Sequence, residues 1–226
     1  MRWILMVAFT LGSLAVQAQS LWEGGWLPEI SVSHRWSEKW RVSTQLESMQ
    51  QLYSNGGAGP LDLDYQYIRT DLTAVLSHSL NPNWSLAAGN MFRFSTGDGV
   101  TYRSLQQVAY NTRGGAVRFG HRLRTDQTFT PNQPTLWRLR YRLSLEVPLQ
   151  GQSLDPGEWY WLGSTEQLMR IRRGDSSWEH RLSASLGYYF NARNKLEFGF
   201  DYRHDESFFF QSRNRLWTTI NYYINL

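Results

Sequence analysis

From Trp137 to Val147 the chain alternates without a break. Trp137, Leu139, Tyr141, Leu143, Leu145 and Val147 are apolar or aromatic, while Arg138, Arg140, Arg142, Ser144 and Glu146 between them are polar or charged. Period two puts the two sets on opposite faces of a β-strand. The pattern recurs along the chain. Ile30, Val32, His34 and Trp36 alternate up to a turn at Ser37-Glu38-Lys39, and Trp40, Val42, Thr44 and Leu46 follow it. Further alternating runs are Tyr65–Leu80, Trp84–Phe94, Val117–Leu123, Trp159–Ile171, Trp178–Tyr188, Leu196–Arg203 and Leu216–Leu226; residues 103–111 make a weaker strand. Short turns are expected at 81–83, 112–115 and 191–194, and longer loops at 53–60, 96–101, 125–134 and 172–176. Both lysines, Lys39 and Lys195, fall at short turns.

Eleven strands can be traced in this way. A soluble sheet also alternates, but its polar face normally carries varied residues that include lysine. Here arginines and a glutamate share one face opposite Trp, Leu and Tyr. A greasy exterior around an ionic interior is the arrangement of an outer-membrane barrel. The expected fold is therefore all-β: an antiparallel up-and-down transmembrane β-barrel over residues 19–226. Bacterial single-chain barrels have an even strand number. A short first strand around Leu21–Gly25 brings the expected count to about 12, with 10 as the alternative.

Composition agrees with that picture. Residues 1–18 read as a cleaved signal peptide: Arg2, a short apolar stretch from Ile4 to Phe9, and small residues ending at Ala18. Export with no later stretch long and apolar enough for a spanning helix points to the outer membrane as the expected location. The chain has no cysteine, which removes disulfides and thiolate chemistry from consideration. Of 23 basic residues only Lys39 and Lys195 are lysines, and the other 21 are arginines. Arg stays charged when desolvated and grips carboxylates with a planar fork, so the bias suits a packed ionic interior. A net charge of +4 spread evenly along an exported chain argues against a nucleic-acid partner.

Trp36, Trp40, Trp84, Trp178, Tyr188 and Phe190 stand beside short turns or at strand ends. That placement suits aromatic girdles at the two membrane–water boundaries, with outer-membrane lipid as the partner.

The ordered motifs Trp36…Lys39-Trp40, His121-Arg122-Leu123-Arg124, Trp137-Arg138-Leu139-Arg140-Tyr141-Arg142, Glu166-Gln167-Leu168, His180-Arg181-Leu182 and Leu196-Glu197-Phe198-Gly199-Phe200 resemble the bacterial family called domain of unknown function 2490. The one departure is His180, where Asn is expected before Arg181-Leu182. The resemblance covers most of the chain after residue 18. It implies a small outer-membrane barrel and no assigned activity. The last strand is also similar to the signal read by the barrel-assembly machinery, an expected partner during biogenesis. Ile220, Tyr222, Ile224 and Leu226 keep its alternation, and Leu226 replaces the usual terminal aromatic.

The expected lumen residues are Arg69, Asp71, Arg93, Arg118, Arg122, Arg124, Arg138, Arg140, Arg142, Glu146, Glu166, Glu179, Arg181, Glu197, Asp201 and Arg203. Unpaired charges in a narrow lumen are costly, so most should be paired or hydrated. Two uses compete. Arg–carboxylate ladders would fill a structural barrel, or surplus arginine would line a narrow path selecting small anions. Between Arg118 and Glu146 six arginines face one glutamate, the surplus an anion path needs. Acids on later strands can neutralise it, which favours the filled lumen.

Catalysis is not expected. His34, His121 and His180 fall on the apolar face, and His78 lies beside a short turn. Asp62 and Asp64 with His204 and Asp205 are the only rim set for a lipid or peptide hydrolase, and the Asp-x-His pairing of barrel proteases is missing. Asp62-x-Asp64 is also weak as a cation loop, and Gly97-Asp98-Gly99 reads as a turn. No cofactor or metal site is expected. A soluble exported barrel holding an apolar ligand is the remaining alternative.

Overall fold

A computed structural model describes residues 21–55, 60–96, 99–206 and 212–226. The signal-peptide segment 1–18 and most of the Gly97-Asp98-Gly99 turn lie outside the described residues. All described regular structure is strand. The first four strands are β1 (Leu21–Arg35), β2 (Trp40–Ser54), β3 (Asp62–Ser79) and β4 (Trp84–Ser95). Next come β5 (Gly99–Gly114), β6 (Val117–Phe129), β7 (Leu136–Pro148) and β8 (Glu158–Arg172). The last are β9 (Asp175–Asn191), β10 (Asn194–Glu206) and β11 (Ser212–Asn225).

Each strand pairs antiparallel with its sequence neighbours, and β1 closes the barrel by pairing parallel with β11, from Leu21↔Arg213 to Ser33↔Asn225. That pairing explains the strand count, which lies within the range of 10 to 12 read from sequence. Even parity is required only where the closing pair is antiparallel. With a parallel closure eleven strands suffice, and Leu21–Gly25 is the first third of one long strand that bulges at Gly24/Gly25. Leu21 and Asn225 therefore stand at opposite ends of the barrel.

The lower end carries the connections 36–39, 80–83, 115–116, 149–157 and 192–193. Several are held by one device, a short polar side chain bonding backbone N–H groups just ahead of it. Asn81 Oδ1 accepts from Asn83 N and Trp84 N (2.9 and 2.8 Å), Asn191 Oδ1 from Arg193 N and Asn194 N, and Ser37 Oγ from Trp40 N. The nine-residue connection 149–157 is the longest at this end. At the upper end, the region 172–176 read as a loop is a tight hairpin. Arg173 and Gly174 both have positive φ (54° and 92°), the backbone a two-residue primed turn requires.

Alternation divides the wall cleanly. On β7 Trp137, Leu139 and Tyr141 are 53%, 42% and 44% exposed. Arg138 and Arg140 between them have side chains only 10% and 12% exposed. The outward apolar residues form a belt, interrupted by polar Ser104, Gln106, Thr125 and Gln127 on β5 and β6, with aromatic contacts near both rims. Toward the lower end Trp40 packs on His78, Trp84 on Tyr110, and Trp159 on Tyr188, which meets Phe190 edge-on. Trp36 is exposed in the adjoining turn. Toward the upper end Phe92, Tyr102 and Phe129 follow one another, Trp22 meets Tyr202, and Trp178 stands exposed. Ile220, Tyr222 and Ile224 share the outer face of β11, and exposed Leu226 follows with its N–H donating to Ser33 O (2.8 Å).

Candidate functional site: an ion-paired barrel interior

The inward positions converge on a cavity of about 460 Å³. All the lumen residues expected from sequence line it except Arg118 and Glu146. Those two pair with each other at 3.8 Å on the inward face near the lower end. The sequence reading missed other charged lining residues: Glu29, Glu47, Arg103, Arg170 and Arg215. It also missed Asp126, which has no exposed surface, and Asp205.

Asp126 is the centre of the arrangement. It sits on β6 between Arg124 on its own strand and Arg138 and Arg140 on β7, at 2.7, 3.7 and 3.4 Å. Arg140 also binds Glu166 (2.6 Å), which takes Arg122 (2.9 Å) and Arg181 (3.7 Å). Arg181 continues to Glu179, which faces Arg170 and Arg215, and both of these reach Asp205. One uninterrupted chain of ion pairs thus crosses every strand from β6 to β11. A second group lies on β2–β4, where Arg69 joins Glu47 and Asp71, and Arg93 grips both oxygens of Asp71 (2.7 and 2.6 Å). Sharing carboxylates among arginines satisfies charges that would be costly singly.

Apolar and aromatic residues occupy other parts of the interior. Leu27, Met49 and Trp217 pack together from β1, β2 and β11. Near the lower end Tyr160 and Tyr223 both donate to Glu197 (2.7 and 3.1 Å). Tyr160 lies flat over Gly187, where any Cβ would fall on its ring. Lys195, read as a turn residue, is the second residue of β10, and its ammonium lies over the rings of Tyr160 and Tyr189.

Among the described residues, two cavity-lining arginines have no carboxylate in ion-pair range. Arg142 donates to Ser164 Oγ (3.1 Å), and Arg103 to Thr128 Oγ1 (3.0 Å) and Met91 Sδ (3.4 Å).

A family model described as protein of unknown function (DUF2490) matches residues 23–214, from the start of β1 into β11. The chain belongs to this family. It is the family the ordered sequence motifs resemble, and the ion-paired barrel is thus the form this DUF2490 member takes. No curated protein and no solved structure matches the chain.

The rim residues weighed for hydrolysis are not assembled in the DUF2490 barrel. Asp62 and Asp64 lie on β3 and His204 on β10, with β2, β1 and β11 between them, a separation of about 19 Å at about 4.8 Å per strand. Asp64 accepts from Gln51 (2.9 Å). His204 bonds Asn214 (2.9 Å), while Asp205 next to it is tied into the ion pairs on the inward face. His121 and His180 bond Tyr141 and Gln167 on the outer wall.

Proposed function

We propose that this protein is an integral β-barrel of the bacterial outer membrane with a filled, ion-paired interior, structural in role rather than a wide pore. The outer wall carries the proposal. Large apolar side chains exposed on strand after strand make a patch far beyond the few hundred Å² that a water-soluble surface tolerates. From Trp84 to Phe94 on β4 is ten residue steps, about 34 Å of strand, or about 26 Å of height at a tilt of about 40°. That matches the apolar band of about 25 Å in outer-membrane barrels. Eleven strands also fall between the eight whose interior side chains fill and the sixteen that leave a channel.

The charged lining leaves no apolar chamber for a greasy ligand, so a soluble carrier is the poorer reading. The scattered rim residues likewise favour a protein without hydrolytic activity. Two measurements test the proposal: fractionation, and gel mobility with and without boiling. The barrel should partition with outer membranes and migrate faster unboiled. Recovery in the periplasm without detergent would overturn the membrane reading.

A narrow anion path is the second reading, favoured by the unpaired Arg103 and Arg142 on the cavity wall.

A further inference from the structure

Arg103 is the most deeply placed unpaired charge among the described residues, only 5% exposed. Its Nε donates to Thr128 Oγ1, directly across the β5–β6 ladder, and its Nη1 reaches only a thioether. Arg138 on β7 places its Nη2 on the same Thr128 oxygen at 2.9 Å. Two guanidiniums therefore meet on one neutral hydroxyl, their donor atoms within about 6 Å of each other, the sum of the two bonds. Arg138 Nε is buried and makes no hydrogen bond. Its nearest acid, Asp126, is shared with Arg124 and Arg140. Arg93, on the strand beyond Arg103, is a third cavity-lining cation, already matched by Asp71. Like charges drawn together on the cavity wall, two of them sharing one neutral acceptor, repel one another, and an anion between them would offset that repulsion.

We propose that Arg103, Arg138 and Thr128, with Arg93 alongside, form an internal binding site for a small oxyanion of the phosphate or sulfate type. Guanidinium forks present paired N–H groups at the spacing of two oxyanion oxygens, which a spherical halide cannot engage equally well. The site sits toward the upper end, level with the aromatic cluster at Tyr102, and its three arginines line the cavity. It requires neither conduction nor membrane insertion.

The experiment is titration calorimetry on the full chain in detergent with sodium phosphate and sodium sulfate, against sodium chloride at matched ionic strength. Saturable binding of phosphate or sulfate, absent with chloride, is expected. R103Q should weaken it at least tenfold, and R103K, which keeps the charge but loses the fork, by less. R118Q, at the Arg118–Glu146 pair, should bind as the parent does. Should R103Q fail to give the compact unboiled gel species, T128V takes its place and should weaken binding several-fold. No saturable binding to the parent chain would overturn the proposal. So would unchanged affinity in a folded R103Q or T128V protein. Because gel mobility and fractionation report separately on the barrel, a membrane protein that ignores phosphate sinks this site alone.

Discussion

Asp126 shows how much one residue carries. Three arginines converge on it and it has no contact with solvent. D126N would leave those cations short of a counter-charge in a low-dielectric interior. It should destabilise the barrel by about 3–5 kcal/mol, the usual cost of breaking a buried pair from one side. Removing half-exposed Arg118 from its long pair with Glu146 should cost about 0–1 kcal/mol. Urea unfolding in detergent, followed by the loss of the compact gel species, ranks the two; equal effects would contradict the shared-carboxylate account. Gly187 is a second sensitive position. G187V should destabilise the barrel by about 1–3 kcal/mol, because its side chain would displace the Tyr160 ring from Glu197. Adding Y160A should then cost less than it does in the parent chain.

At the scale of strands, β5 and β6 depart from the rule. Between the outward pair of Val108 and Leu123 and the upper cluster at Tyr102, their outer face is polar. Gln106 donates to Ser104 and Gln127, Thr125 and Gln127 donate back to Gln106, and Tyr102 donates to Asn90. These side chains satisfy one another, which would make them tolerable on a wall that faced lipid. If the wall meets lipid, Q106L combined with Q127L should stabilise the barrel in bilayers by about 0.5–2 kcal/mol per substitution. Loss of stability or aggregation instead would argue that the face meets water. The same polar patch explains where sequence reading fell short. Alternation continues from Arg124 to Asp126 and Thr128 on the inside, but Thr125 and Gln127 outside remove the apolar contrast. The strand therefore reads as ending early, and Asp126 is placed in a loop. Arg103 escapes notice for the same reason, since Ser104 and Gln106 weaken the pattern of β5.

For the molecule as a whole, the interior network predicts electrical behaviour. Planar-bilayer recording should give no conductance or small, anion-selective steps, reduced further by neutralising Arg142. Large unselective steps would contradict a lumen crossed by ion pairs from β6 to β11. Which side chains face in and which face out was legible in the chain, because period two is a local property of extended backbone and needs no knowledge of neighbours. The strand segments and most cavity-lining charges followed from it. The closing of the sheet was not legible, since the parallel pairing of β1 with β11 joins the two ends of the chain and leaves no local mark. Nor was charge balance, which depends on which strands lie side by side. Counted along the sequence, the arginines of β6 and β7 look like a surplus. Folded, Asp126 and Glu166 stand among them, and only tertiary structure singles out Arg103 and Arg142 as cavity-lining arginines without a carboxylate partner among the described residues.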